Sequence, residues 1–502
     1  MLSKILTGSL WGIDAELVTV ETDMQQGLPA LTIVGLADTT IKEARERIRA
    51  AILNSEYIFP RRRITINLSP AGRPKEGSHF DLPIAMGIIL LSRKETMEGT
   101  AFIGELSLDG KVKPIRGALP IAIGLQQKGI KRLVLPRGNL PEVEILSNME
   151  MYPVETLKEA VNHRNKKHKS QRDICGSIIH GRDFEEVVGQ ENVKRALTVA
   201  AAGTHGVLLV GSPGCGKTMM AKRLPSIMPE MSYEEMLETT KIHSICGLVP
   251  PGSRGVLTRP FRMPHHTISK VALIGGGRKP VPGEVSLAHN GILFLDEFGQ
   301  FDSKTLELLR QPSEDGKITI NRASGSVTFP CQTMMVAAAN PCKCGYLGDE
   351  THKCTCSAGQ ISAYMSRFSG PLLDRIDLHL QVFPVAYEEI QRDKDCLSSV
   401  KLRSKVTDAR QMQEKRYKGG NLRFNSQLSP KEIKYFCPLG KEEKAFLGQA
   451  YEKLSLSMRT YYKIIKISRT IADLNKKEEI AIEHIAEALQ YRALDQFYRR
   501  ED

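Results

Sequence analysis

The octet GSPGCGKT, Gly211 to Thr218, constrains this chain more than any other stretch. It follows the apolar run GVLLV and leads into a helical pattern, so it reads as strand, glycine-rich loop and helix in succession. Glycines free the backbone to turn successive N–H groups toward an anion, and the helix N-terminus adds a favourable dipole. Gly211, Ser212, Pro213, Gly214, Cys215, Gly216, Lys217 and Thr218, with Met219 behind them, are expected to hold the phosphates of a nucleotide. In this Walker A pattern Lys217 reaches the β- and γ-phosphates and Thr218 helps hold Mg2+. A strand feeding such a loop belongs in a doubly wound parallel sheet that binds ligands at the C-terminal ends of its strands.

Two further apolar runs supply the partners. GILFLDE ends in Asp296 and Glu297, the acids of a Walker B strand. Asp296 is expected in the magnesium shell, and Glu297 is expected to orient or deprotonate the attacking water. TMMVAAAN ends in Asn340, which either positions that water or forms a turn. ATP and Mg2+ are the implied cofactors and ATP hydrolysis the implied reaction.

The rest of the chain must be organised around this unit. At 502 residues it is too long for one core, and roughly one domain per 150 residues suggests about three. Residues 1–162 mix strand-like runs (LVTVETDM, ITINLS) with the helical TTIKEARERIRAAILNS, whose threonine pair is placed to cap it. Residues 163–182 form a basic linker, either solvated or touching nucleic acid. Residues 183–385 carry the nucleotide motifs, and 386–502 read as a helical lid with a polar break near Asn475. No run nears the roughly 18 apolar residues a membrane span needs, and the N-terminus lacks a signal-peptide pattern, so a cytoplasmic protein is expected. The formal charge of +13 favours a polyanionic partner, nucleic acid above all.

Four of the ten cysteines crowd into NPCKCGYLGDETHKCTC: Cys342, Cys344, Cys354 and Cys356. Four thiolates on one loop suit tetrahedral Zn2+ in a structural role, with His352 as an alternative ligand; four unligated buried cysteines and an Fe–S cluster are the other readings. Cys175, Cys215, Cys246, Cys331, Cys396 and Cys437 show no partner pattern. The adjacent His265 and His266 are not expected to chelate, because neighbouring side chains diverge.

The stretch from DFEEVVGQ to SGPLLDRIDLHL resembles the magnesium-chelatase-like branch of AAA+ ATPases, and the N-terminal pattern narrows the resemblance to the ComM/YifB family. It covers nearly the whole chain. Arg259 to Gly277 resembles the family's helix-two insert and Gly316 to Pro330 its pre-sensor hairpin. The resemblance puts an arginine finger at Arg375 and a second sensor arginine at Arg459; a local ion pair with Asp374 or Asp377, and a solvated lid arginine, are the alternatives. It implies a homo-hexamer. Lys317 and Arg322 would track DNA phosphates in the pore, or belong to an ordinary surface hairpin.

RPKEGSHFDLPIAMGIILLS and FIGELSLDGKVKPIRGALPIAIG resemble the Lon-protease-type, ribosomal S5 domain 2-like fold. His79 falls at the nucleophile position, Ser78 one residue away, and the turn Gly117-Ala118-Leu119-Pro120 offers no base lysine, although Lys75, Lys111 and Lys113 are near in sequence. A nucleophile without an adjacent base is weak, so the domain is expected to be a non-proteolytic scaffold. Arg61, Arg62, Arg63 and Arg73 would contact DNA or form a solvated basic face.

The expected architecture is thus α/β: an AAA+ P-loop domain with its parallel sheet flanked by helices, a Lon-protease-like α+β domain before it and a helical lid after it. The resemblance implies a hexameric helicase or branch-migration factor acting on single-stranded or branched DNA in recombination and natural transformation. The alternative is a chelatase-type ATPase that remodels a protein partner, which the N-terminal domain and cysteine loop speak against. An ATP-dependent protease is a third class, opposed by the missing Ser–Lys pair.

Overall fold

Strict alternation builds the first sheet. In strand Arg63–Ser69, Ile64, Ile66 and Leu68 are buried while their neighbours are not, the period of a half-buried strand. The computed structural model describes residues 2–168, 182–250, 252–322, 325–349, 351–367, 373–385, 397–420 and 422–492. Most of the basic linker, Cys175, Cys396, the hairpin tip at 323–324 and Gly370 to Leu372 lie outside the described residues.

The first sheet has seven strands in the order Ala30–Val34, Arg63–Ser69, Asp14–Gln25, Leu2–Trp11, Thr100–Phe102, Arg132–Pro136, Glu150–Val154. Helices Thr39–Asn54 and Asp81–Arg93 cover one face, sharing a core with Ile5, Val20 and Ile66. Helix Ala118–Gln127 covers the other, against Leu6, Leu10 and Leu17. The first helix starts where the sequence predicts, but the threonine pair lies in its first turn. Asp38 is the cap, its carboxylate accepting from the Ile41 N–H at 2.9 Å. Asp38 stands just outside the helix, where its carboxylate can reach the exposed N–H, whereas Thr39 and Thr40 are already helical.

The second sheet has five strands, all parallel, in the order Phe261–Arg262, Ile292–Leu295, Met334–Ala339, Val207–Gly211, Leu378–Val382. The three inner strands read as continuous apolar runs because both faces are covered. On one face pack helix Glu191–Gly203 and the C-terminal helices, including the amphipathic Met458–Leu474. The polar break near Asn475 separates this helix from Ile482–Gln490. On the other face, Leu208, Leu293 and Ala337 meet the hairpin residues Ile318, Ile320, Val327 and Phe329.

Trp11 and Ile13, at the turn of the first hairpin, pack against that same cluster. The fit at Gly12 is close: a Cβ there would lie 2.5 Å from Val327 Cγ1. Helix Tyr233–Cys246, opened by a Ser232–Glu235 capping box, ties the two sheets' domains together. Its Ser244 hydroxyl donates to Glu142 at 2.6 Å, and its carbonyl accepts from Gly117 N at 3.0 Å. No helix among the described residues is long and apolar enough to cross a membrane.

Candidate functional site

The three inner strands of the second sheet end side by side, and each ends in a motif residue. Gly211 closes the first, Asp296 follows Leu295 and Asn340 follows Ala339. The Walker A loop needs its glycines here: Gly214 and Gly216 have φ of +81° and +90°, the left-handed region a side chain resists. At Gly211 the reason is space, since a Cβ would sit 2.2 Å from the Val382 carbonyl oxygen.

Lys217 is buried, and its ammonium donates to the carbonyls of Gly211 and Ser212 at 2.7 and 2.8 Å and to Asn340 Oδ1 at 3.3 Å. The Thr218 hydroxyl donates to Asp296 Oδ2 at 2.9 Å. Two groups expected to share a magnesium ion therefore already touch. Glu297 adopts φ +51°, unusual for a non-glycine residue, with its side chain 55% exposed and carried clear of the strand end. Met219 is exposed at the start of the helix behind the loop. Lys217, Thr218, Asp296 and Asn340 are thus brought together at the strand ends, while the Glu297 side chain lies apart from them.

Arg375 and Arg459 do not join them. Both line a cleft of about 720 Å³ together with Gly206, Leu293, Met335 and Asp377, residues at the N-terminal starts of the same parallel strands. A five-residue strand spans about 17 Å at roughly 3.3 Å per residue, so the two arginines lie on the opposite edge of the sheet from Lys217. Arg375 is largely buried and pairs with Glu314 at 2.5 Å, on a different element from the two aspartates flanking it in sequence. Arg459 is exposed. Beside them Asp377 contacts Lys463 at 2.9 Å and His205 at 3.0 Å; against its burial, the lysine charge and the hydrogen bond to His205 keep its pKa low, and Lys463 ties helix Met458–Leu474 to this end of the sheet.

The hairpin pairs Lys317 with Pro330 and Arg322 with Gly325. Lys317 stands on the exposed face at the base, while Arg322 has the parity of buried Ile318 and Ile320 and donates to the Gly277 carbonyl at 3.2 Å. The two cations therefore do not form one patch, because five residues along a strand reverse the side-chain direction.

The four loop cysteines gather. Their sulfur atoms all lie within 4.8 Å of one another, with Cys342–Cys344, Cys344–Cys354 and Cys342–Cys354 at 3.3, 3.5 and 3.7 Å. The N–H groups of Tyr346 and Thr355 pull the Cys344 thiol down, while contacts with Cys344 and Cys342 push Cys354 and Cys356 up. His352 is turned away: it contacts the Thr351 hydroxyl at 2.9 Å and lies tilted against the Tyr346 ring. Residue order had left it open as a ligand, but the turn at Asp349 aims it outward.

The histidine pair departs from expectation. The rings of His265 and His266 lie 4.1 Å apart and tilted, so these neighbours do not diverge. His266 Nδ1 comes within 3.4 Å of Glu297 Oε2. Sequence spacing gave no sign of this, because the contact arises where strand Phe261–Arg262 runs alongside Ile292–Leu295.

In the N-terminal domain the Ser78 hydroxyl donates to Glu105. Burial pushes His79 down to about 4, and its Nε2 meets the Gly8 carbonyl at 2.9 Å. Lys75 is buried against the carbonyls of Pro70 and Arg73, and burial lowers its pKa. Lys111 pairs with Asp109 on the surface. Arg73 pairs with Glu16 and lies over the Trp11 ring at 5.3 Å, while Arg61, Arg62 and Arg63 are exposed.

A phosphate-binding loop, paired acids and a polar strand tip at one edge of a five-stranded parallel sheet, under a helical C-terminal segment, define a P-loop ATPase of the AAA+ class that uses ATP and Mg2+. Family comparison agrees: residues 183–390 match the family described as magnesium chelatase, subunit ChlI, residues 20–139 match subunit ChlI of Mg-chelatase, and residues 397–492 its C-terminal region. The chain is 41% identical to competence protein ComM of Haemophilus influenzae, over 98% of each chain. It is 38% identical to the uncharacterized protein YifB of Salmonella typhimurium, over 98% of this chain and 97% of that one. Part of it is 23% identical to Lon protease of Azorhizobium caulinodans, over 37% of this chain and 24% of Lon. The chain belongs to the ComM/YifB family of magnesium-chelatase-like AAA+ proteins.

Proposed function

We propose that this chain is an ATP-dependent DNA motor working as a homo-hexamer, a helicase or branch-migration factor in recombination and natural transformation. The observation that carries the reading is the separation of Arg375 and Arg459 from Lys217 across the sheet. Arginines on the far edge reach a nucleotide only when that edge abuts another subunit's Walker loop, where they stabilise charge on the transferring phosphoryl group. Each site then needs two copies, and a closed ring satisfies every site.

DNA as the track is supported by the net charge of +13, by the hairpin Lys317 to Pro330, and by a relative that bears the name competence protein. Single-stranded or branched DNA is the form a translocating ring would engage. The cytoplasm is the compartment that holds such DNA together with reduced thiols. The N-terminal domain acts as a non-proteolytic scaffold: the candidate nucleophile and lysine are bonded to other groups.

Cys342, Cys344, Cys354 and Cys356 would hold a structural Zn2+. A Zn–S distance of about 2.3 Å in a tetrahedron separates sulfurs by roughly 3.8 Å, close to the observed spacing. Metal analysis of the Cys342→Ser/Cys344→Ser variant beside the parent tests this, and equal zinc in both rejects it.

A second reading, a chelatase-type ATPase that remodels a protein, is favoured by the match of residues 20–139 to a family described as subunit ChlI. That match removes one objection to it, since the N-terminal domain no longer sets this chain apart. ATPase rates with and without single-stranded and forked DNA, at two salt concentrations, separate the two. Stimulation that fades with salt supports the DNA motor, because phosphate contacts release counterions. No stimulation by any DNA moves the reading to protein remodelling.

A further inference from the structure

The cysteine loop lies directly on the Walker A loop. The Ser212 hydroxyl donates to Asp349 Oδ2. The Asp349 side chain is 1% exposed, and its other oxygen accepts from the N–H groups of Thr351 and His352, both at 2.9 Å, and from the Thr351 hydroxyl at 2.7 Å. One carboxylate thus closes its own turn and reaches across to the phosphate-binding loop. A second contact is steric: at Gly345, with φ +92°, a Cβ would lie 2.8 Å from the Pro213 ring. Gly345 follows Cys344 directly, and Asp349 sits between the two cysteine pairs. Whatever fixes the four sulfurs therefore fixes both contacts. Ser212 is gripped from two sides, its carbonyl by Lys217 at 2.8 Å and its hydroxyl by Asp349.

We propose that Asp349 is a positioning residue for the phosphate-binding loop, and that a thiophilic divalent cation on Cys342, Cys344, Cys354 and Cys356 holds it there, so that metal and nucleotide binding are linked. The second half rests on the zinc reading above. Asp349 acts through Ser212, orienting it and with it the N–H groups that must face the phosphates. Linkage is reciprocal, so nucleotide tightens the metal by the factor by which the metal tightens nucleotide.

The test uses the full chain, a fluorescent ATP analogue for equilibrium titration, and a chromogenic chelator to follow zinc release with and without that analogue. Asp349→Ala is expected to weaken nucleotide binding about tenfold, the effect of one hydrogen bond to a charged acceptor. Asp349→Asn is expected to restore most of it, since its amide oxygen accepts from Thr351 and His352 while its NH2 donates to the Ser212 hydroxyl oxygen. Ser212→Ala should match Asp349→Ala, and the double variant should be no worse than either single, because they remove the same contact. Zinc stoichiometry stays at the parent's value in all of them, and the analogue slows zinc release.

Parent-like affinity in Asp349→Ala, failure of Asp349→Asn to recover it, or additive loss in the double variant would overturn the positioning role. Zinc that is bound but released at one rate with and without nucleotide overturns the linkage while the zinc reading stands. A protein that neither carries nor takes up zinc overturns the metal half together with that reading, and the Asp349 result is decided separately by the titrations.

Discussion

Two parts of this molecule look like reaction centres in sequence, and the structure treats them oppositely. At the Walker edge, Lys217 and Thr218 from one helix meet Asn340 and Asp296 from two strand ends. In the N-terminal domain, Ser78, His79 and Lys75 are close in sequence, yet each is bonded to a different partner and two are buried. Chemistry needs groups that converge and stay addressable. Ser78, His79 and Lys75 face different partners and do not meet, whereas Lys217, also buried and bonded, meets Asn340 at the strand ends. Convergence, more than residue type, separates a site from a scaffold here.

The sharpest way to break this comparison is at the Walker edge. Lys217→Ala is expected to abolish nucleotide binding or turnover, lowering the ATPase rate at least about a hundredfold, as measured by phosphate release. Arg375→Ala should lose turnover by about a thousandfold or more while each subunit still binds ATP in an equilibrium titration. An unimpaired variant means that another residue is the finger. Mixing Arg375→Ala with Lys217→Ala subunits should recover some activity, since each supplies what the other lacks at a shared site. Glu297→Gln should bind ATP normally and hydrolyse it roughly 10²–10⁴ times more slowly in single-turnover assays, and full turnover would sink the base assignment.

On the other side of the comparison the expected effects are small. Ser78→Ala and Lys75→Met should leave ATP turnover within about twofold of the parent, and casein should stay intact with parent and variants alike. Casein cleavage that Ser78→Ala removes would restore a protease site to this domain.

The smallest effect concerns pH. His79 is buried neutral with its pKa held near 4, below the ordinary 6.5. Between those values the unfolded chain binds a proton that the folded one refuses, so this contribution is complete above pH 6.5 and falls as pH drops toward 4. Asp81, raised by burial to about 6, works in the opposite sense over an overlapping range. His79→Gln should therefore lose acid sensitivity relative to the parent in melting curves between pH 4 and 6.5, and an unchanged difference would show that His79 titrates freely.

Much of the fold was legible. The inner strands of the second sheet, the Walker helix and the break near Asn475 follow from apolar periodicity and glycine placement. The end of the first helix was less so: threonine and aspartate both cap, and only the backbone shows which stands outside the first turn. In the site, His266 against Glu297 and Asp349 against Ser212 were missed. That Lys317 and Arg322 stand on opposite faces of the hairpin strand follows from its register and was not drawn from the resemblance.

The phosphate loop, its two acids and the four-cysteine loop are readable from residue order alone, because each depends on backbone angles and ligand types along a few consecutive residues. Only the tertiary structure decided which edge of the sheet Arg375 and Arg459 occupy, what the cysteine loop rests on, and that Ser78 and Lys75 are already bonded elsewhere. Those facts come from strand order and packing between distant segments, which no local pattern encodes.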